Sequence, residues 1–163
     1  MIQLTPATTQ EDVQLIVQLA KEILEEHYTS IIGPQQVQYM LTIFQSKEAI
    51  LNDLDRGKKY VLVNLNNQTI GYFSYELIDK QLFLSKLYLK KDQRGKGNGR
   101  FLIAQIKDIA QKNKKRVIVL TVNKHNHASI AAYKTLGFTL VKQQQVDIGN
   151  GYIMDDYVFH YSL

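Results

Sequence analysis

The stretch LSKLYLKKDQRGKGNG, Leu84 to Gly99, decides how the rest of the chain is read. An apolar β-type segment, Phe83 to Leu89, runs into a basic turn with glycines at alternate positions, Gly95, Gly97 and Gly99. A helical pattern follows at once, because Phe101, Leu102, Ile106, Ile109 and Ala110 fall at threes and fours and so share one face. The unit is strand, glycine loop, helix. Such a loop leaves backbone N–H groups uncovered at a helix N-terminus, where orphan donors and the positive end of the helix dipole both favour an anion. Arg94, Lys96 and Arg100 add formal charge at the same point, so a phosphate-bearing ligand fits. The nucleoside-triphosphate loop is disfavoured, since it needs Gly-Lys followed by Ser or Thr and here Gly99 precedes Arg100 and Phe101. The dinucleotide fingerprint needs a wider second interval than Gly95-Lys96-Gly97-Asn98-Gly99 provides.

Working downstream, the helix leads through the basic run Lys112 to Arg116 into Val117 to Val122, mostly β-branched, which reads as a strand buried on both faces. Strand, helix and strand make a β-α-β unit, so the two strands are expected parallel with a right-handed crossover. A helix from Ser129 to Leu136 stops at Gly137, and Phe138 to Val146 with Tyr152 to Tyr161 form a closing hairpin around Gly149-Asn150-Gly151.

Working upstream, Gln81 to Leu89, Gln68 to Leu77 and Lys59 to Leu65 read as an antiparallel meander turning at Asn66-Asn67. The first third is helical after a short strand, Ile2 to Thr5. Thr8 with Glu11 has the spacing of a capping box, and Val13, Ile16, Val17, Ala20, Ile23 and Leu24 give an apolar face through about Tyr28. Gly33-Pro34 breaks the chain and opens a second helix, and a third runs from about Lys47 to Arg56-Gly57.

The 163 residues are expected to form a single domain, 1–163, with 45% hydrophobic and 21% charged residues. No cysteine is present, which removes disulfides, thiolate metal sites and a cysteine nucleophile. The N-terminus MIQLTPATTQED lacks a basic region followed by an apolar stretch, and no run approaches about 18 apolar residues. A cytoplasmic protein without membrane association is the expectation. The net charge of +5 and pI of about 9.3 permit an anionic ligand or a nucleic acid; no glycine-aromatic RNA signature or zinc-finger spacing supports the latter.

Beyond the buried strand lies VNKHNHASIAAYKTLGF, Val122 to Phe138. Both strands of the unit point the same way, so this segment and the glycine loop are expected at one carboxyl edge of the sheet. With Arg94-x-x-Gly97-x-Gly99 and then Asn126 with Tyr133-Lys134-x-Leu136-Gly137-Phe138 in order, the sequence from about Lys59 onward resembles the GCN5-related N-acetyltransferase family. The helical first third, with Pro34-Gln35-Gln36 and Tyr39-Met40, is similar to polyamine acetyltransferases of the PaiA type.

The resemblance implies an α+β (mixed α/β) fold: a mostly antiparallel twisted sheet of about seven strands, one parallel central pair splayed at the cofactor site, and about four to five helices. It implies acetyl-CoA as cosubstrate and no metal. The pyrophosphate is expected on the loop Arg94, Gly95, Lys96, Gly97, Asn98, Gly99 and Arg100, and the pantetheine arm along the backbone of Leu87, Tyr88 and Leu89. Asn126 is expected to contact the cofactor arm, and Tyr133 to face the thioester sulfur as the acid for the departing thiolate. Glu76 is the nearest strand carboxylate for a general base, and His27 and Tyr28 are candidates to line the acceptor site. Glu25, Glu26, Glu76, Asp155 and Asp156 are the carboxylates available to a polyamine. His125 and His127 have no third ligand nearby, which argues against a metal. The implied activity is direct acetyl transfer in a ternary complex to a primary amine of a small molecule or peptide, by a monomer or homodimer. The competing readings are a CoA-binding regulatory module without catalysis and a nucleic-acid-binding domain.

Overall fold

A computed structural model describes residues 1–163. Seven strands and five α-helices follow one another as β1 (Ile2–Pro6), α1 (Gln10–Ile32), α2 (Pro34–Phe44), α3 (Lys47–Asp55), β2 (Lys59–Leu65), β3 (Gln68–Ile78), β4 (Gln81–Leu89), α4 (Asn98–Lys112), β5 (Val117–Asn123), α5 (His127–Thr135), β6 (Thr139–Gly149) and β7 (Tyr152–Ser162). The strands form one hydrogen-bonded sheet in the order β1-β2-β3-β4-β5-β7-β6. β4 and β5 run parallel, Gln81 to Leu84 against Val117 to Leu120, as the β-α-β pattern predicts. No helix is long and apolar enough to cross a membrane.

The chain divides into two compact units, Met1–Glu76 with Lys86–Asn98, and Leu77–Ser85 with Gly99–Leu163. In the first unit, α1 buries Val13, Ile16, Leu19, Ala20, Ile23 and Leu24, the stripe expected from the spacing. Its N-cap is Thr9 rather than Thr8. The Asp12 backbone N–H donates to Thr9 Oγ1 at 3.1 Å, and Asp12 Oδ2 accepts from the backbone N–H of Thr8 at 2.9 Å and of Thr9 at 3.1 Å. Two Thr-x-x-acid pairs overlap by one position, and Asp12 satisfies two backbone donors at once. Those bonds hold the Asp12 carboxyl below its ordinary range, the Thr8 N–H contributing most. The helix also continues past Tyr28 to Ile32, where Gly33 takes φ of 87°. The tight turn into β3 is made by Asn66 and Asn67, both in the left-handed region.

In the second unit, β7 lies between β5 and β6. Ile118, Leu120 and Val122 pair with Tyr161, Phe159 and Tyr157, whereas Val119, Thr121 and Asn123 pair with His160, Val158 and Asp156. Directly opposed residues share a face. The first set is packed by both helices of this unit: Lys107 Nζ of α4 sits 3.8 Å from the Tyr161 ring centre, and the Tyr133 ring of α5 lies 6.5 Å from that of Phe159. Val119, Thr121, Asn123, Asp156, Val158 and His160 occupy the other face.

Candidate active site

The glycine loop folds as its spacing requires. Gly95 and Gly97 take φ of 73° and 84°, a region costly for any side chain, and α4 begins at Asn98. A Cβ at either glycine would meet nothing within 4 Å, so backbone geometry rather than crowding selects glycine here. Asn98 closes the loop, its Nδ2 donating to the Gln93 carbonyl at 3.0 Å. No acidic residue occupies the first turn of α4, which leaves its N–H dipoles unopposed for an anion. Lys96 and Arg100 are exposed beside it.

Arg94 also holds the chain together. Its Nε donates to the Leu89 carbonyl at 2.9 Å, and its Nη1 is 2.7 Å from Glu26 Oε1. The side chain therefore pins the end of β4 to α1, and its charge is balanced by Glu26. The loop cations are Lys96 and Arg100.

Leu87, Tyr88 and Leu89 lie at the end of β4. Gly71 on β3 admits them closely, since a Cβ there would stand 2.1 Å from the Tyr88 carbonyl oxygen. An aromatic row backs the same segment. Tyr88 meets Tyr28 at 6.4 Å and Tyr72 at 5.5 Å between ring centres, His27 meets Tyr28 at 4.8 Å, and Tyr72 stacks with Tyr60 at 6.3 Å. His27 and Tyr28 thus stand inside α1, more than a turn before its end, so a helix-terminal dipole role for His27 does not apply.

Lys86 anchors this row and was not singled out by the sequence. Its ammonium donates to Tyr60 Oη at 3.1 Å, Tyr60 donates to Asp53 Oδ2 at 2.6 Å, and Lys86 Nζ lies 3.8 Å from that oxygen. Burial pushes the lysine down to about 8, against the opposing pull of Asp53, and burial with the Asp53 hydrogen bond pushes the Tyr60 phenol far up. A lysine in an otherwise apolar and aromatic strand, SKLYL, is the signal that could have marked it.

Asn126 is 2% exposed and caps α5, its Oδ1 accepting from the Ser129 N–H at 3.5 Å and its carbonyl from the Ile130 N–H at 3.0 Å. This is why the helix starts at His127, two residues before the expected Ser129. Asn126→Ala should cost about 1 kcal/mol in urea unfolding, the usual loss for an N-cap. An unchanged midpoint would remove the capping role. Tyr133 is half-buried, its ring 5.6 Å from Phe138.

The candidate carboxylates separate clearly. Glu25 accepts from Gln38 Nε2 at 3.0 Å and Glu26 holds Arg94. Asp155 pairs with Lys124 and accepts from Gln143, and its carboxyl is held low by the Lys124 hydrogen bond first. Glu76, half-buried near the end of β3, forms no ion pair. Asp156 is 4% exposed. Burial, and then the neighbouring Asp155, push it up to about 6. The His125 and His127 rings are 6.3 Å apart, and no group of three His, Cys, Asp or Glu side chains is placed to hold a metal ion.

The strand order, the single parallel pair and the glycine loop ahead of α4 are those of an acyl-transfer fold, and a family model agrees. Residues 18–138 match the acetyltransferase (GNAT) family, well over half of the chain, so the chain belongs to that family and is an acetyltransferase. Among curated relatives, the spermidine N(1)-acetyltransferase of Thermoplasma acidophilum is 24% identical over 150 residues, covering 89% of this chain and 91% of the relative. The crystal structure of PaiA N-acetyltransferase from Thermoplasma acidophilum in complex with coenzyme A superposes with a TM-score of 0.83 at 20% identity, covering 100% of this chain and 99% of that one. The ribosomal-protein-S18-alanine N-acetyltransferase from Escherichia coli superposes with a TM-score of 0.74 at 15% identity, over 99% and 94% of the two chains. The fold expected from the sequence is therefore the fold found.

Proposed function

We propose that this chain, acting as one catalytic domain, moves the acetyl group of acetyl-CoA directly to a primary amine in a ternary complex. The observation that carries the reading is the anion site ahead of α4: two glycines in the left-handed region, a helix start free of acidic residues, and exposed Lys96 and Arg100. This loop receives the pyrophosphate of coenzyme A. The Leu87 to Leu89 backbone guides the pantetheine arm, with Asn126 ordering the segment at the start of α5. The curated spermidine acetyltransferase favours a polyamine as first acceptor to test.

The chemistry sets what the side chains must supply. A primary alkyl ammonium has a pKa of roughly 10, so about one molecule in a thousand is neutral at pH 7, a deficit of roughly 4 kcal/mol. A base or desolvation of the ammonium removes it. The neutral nitrogen attacks the thioester carbonyl, the Leu89 N–H stabilises the developing oxyanion, and the C–S bond breaks. Tyr133 supplies a proton to the departing thiolate, a phenol being an acid of strength near a thiol's. With no cysteine in the chain, no acetyl-cysteine intermediate intervenes.

The test is release of free thiol from acetyl-CoA with spermidine, other small primary amines and peptides with free N-termini. The proposal expects amine-dependent release. Tight acetyl-CoA binding without turnover by any acceptor would instead identify a CoA-binding module.

A further inference from the structure

The geometry points to Asp156 as the base that takes the proton from the acceptor ammonium on the face of the sheet opposite α4 and α5. The inference rests on the acetyl-transfer reading and adds to it the residue that receives the amine.

Three observations on the second unit carry it. First, Asp156 is 4% exposed, and the one charge acting on its carboxyl is that of the neighbouring Asp155. An ionised carboxylate largely withdrawn from water is retained at a cost unless a cation or donors meet it, yet the Asp156 oxygens are not sealed off. Second, the strand register places it. Asp156 opposes Asn123, the last residue of β5, so it stands at the carboxyl end of the strand that the glycine-loop helix feeds, where ligands of parallel β-α-β units bind. Third, the pleat assigns the two faces. Phe159 and Tyr161 meet Tyr133, Phe138 and Lys107, while Asp156 is on the reverse side. Tyr133 thus packs on one face of β7 while Asp156 lies on the other.

The surroundings fit a base as well as an ammonium site. Across from Asp156 are Asn123 on β5 and Gln144 on β6, neither of which titrates. Its face neighbours along β7 are Met154 and Val158, with His160 four residues on. The neighbouring charge, Asp155, is paired with Lys124. Burial raises this carboxyl to about 6, while the same dry surroundings lower a bound ammonium. The two proton affinities converge, which is what transfer from nitrogen to oxygen needs. At pH 7 the group remains mostly ionised and able to accept.

The step balances. R–NH3⁺ gives one proton to the Asp156 carboxylate, and the freed lone pair forms the N–C bond to the acetyl carbonyl carbon. Collapse breaks the C–S bond, the electron pair leaves on sulfur, and Tyr133 protonates the thiolate. The second nitrogen proton restores the phenol, and Asp156 returns its proton to solvent.

The experiment measures kcat/KM for a small primary amine against pH in the wild type, Asp156→Asn and Glu76→Gln, with acetyl-CoA affinity by calorimetry and the melting temperature of each. The wild type is expected to lose activity tenfold per pH unit below about 6. Asp156→Asn is expected to fall by about 10² to 10³-fold and to lose that limb, with acetyl-CoA affinity unchanged and melting temperature not lowered. A limb that persists in Asp156→Asn, or that vanishes in Glu76→Gln instead, overturns the assignment. So does a wild-type profile with no break near this pH, a result that needs no variant to fold. If no amine releases thiol in the wild type, it is the acetyl-transfer reading that fails, and the role of Asp156 falls with it.

Discussion

Tyr133→Phe is expected to lower kcat for amine acetylation by about 10² to 10³-fold, the usual worth of a positioned general acid, while KM for acetyl-CoA changes little. The substitution keeps the ring that packs 5.6 Å from Phe138 and 6.5 Å from Phe159 and removes only the hydroxyl. The loss belongs to the step that expels sulfur, because an unprotonated thiolate partitions back toward the thioester. A poorer thiol needs the acid more and a better one needs it less. Replacing the CoA thioester by one with a more acidic thiol should therefore narrow the gap between wild type and variant. Equal turnover of the two proteins with acetyl-CoA would remove Tyr133 as the acid.

Gly71→Ala should be the most damaging single methyl in the chain. An added Cβ would sit 2.1 Å from the Tyr88 carbonyl oxygen and 3.1 Å from Leu89 Cα. These are backbone atoms, so no side-chain rotation relieves the clash, and β3 and β4 must part locally. Overpacking of this kind costs about 3 kcal/mol, which for a chain of this size lowers the melting temperature by roughly 10 °C. The strand displaced is the one proposed to guide the pantetheine arm, so acetyl-CoA affinity should fall in the protein that remains folded. Gly99→Ala is the comparison: its Cβ would meet nothing within 4 Å, and alanine suits a helix better than glycine, so melting should hold or rise. Equal melting of the two variants would contradict the close approach of Gly71 to Tyr88.

The parts of this fold that were legible are those written in local periodicity. The stripe of α1, the meander turning at Asn66-Asn67 and the run Val117 to Val122 each carry their own repeat, and the glycine loop reports its backbone needs directly. Features decided at long range were not legible. Nothing near Arg94 announces Glu26, 68 positions away, so the tie it makes between β4 and α1 could not be read from the sequence. Thr8 and Thr9 each precede an acid by three residues, and only the start of the helix selects between them. Asp155 and Asp156 are equivalent as letters. The pleat sends one to Lys124 and the other into the protein, a distinction that depends on the register of β7 against β5 and β6. Lys86 was hidden for a similar reason, since its partners Asp53 and Tyr60 come from α3 and β2.

The central claim is direct movement of acetyl from acetyl-CoA to an amine. The most direct measurement mixes the protein with acetyl-CoA and spermidine and follows three masses together: free CoA, acetylated amine and the intact protein. Direct transfer gives one acetylated amine for each CoA released, with the protein mass unchanged throughout. CoA release without acetylated amine, or an acetylated protein that forms before the product and decays into it, would contradict it.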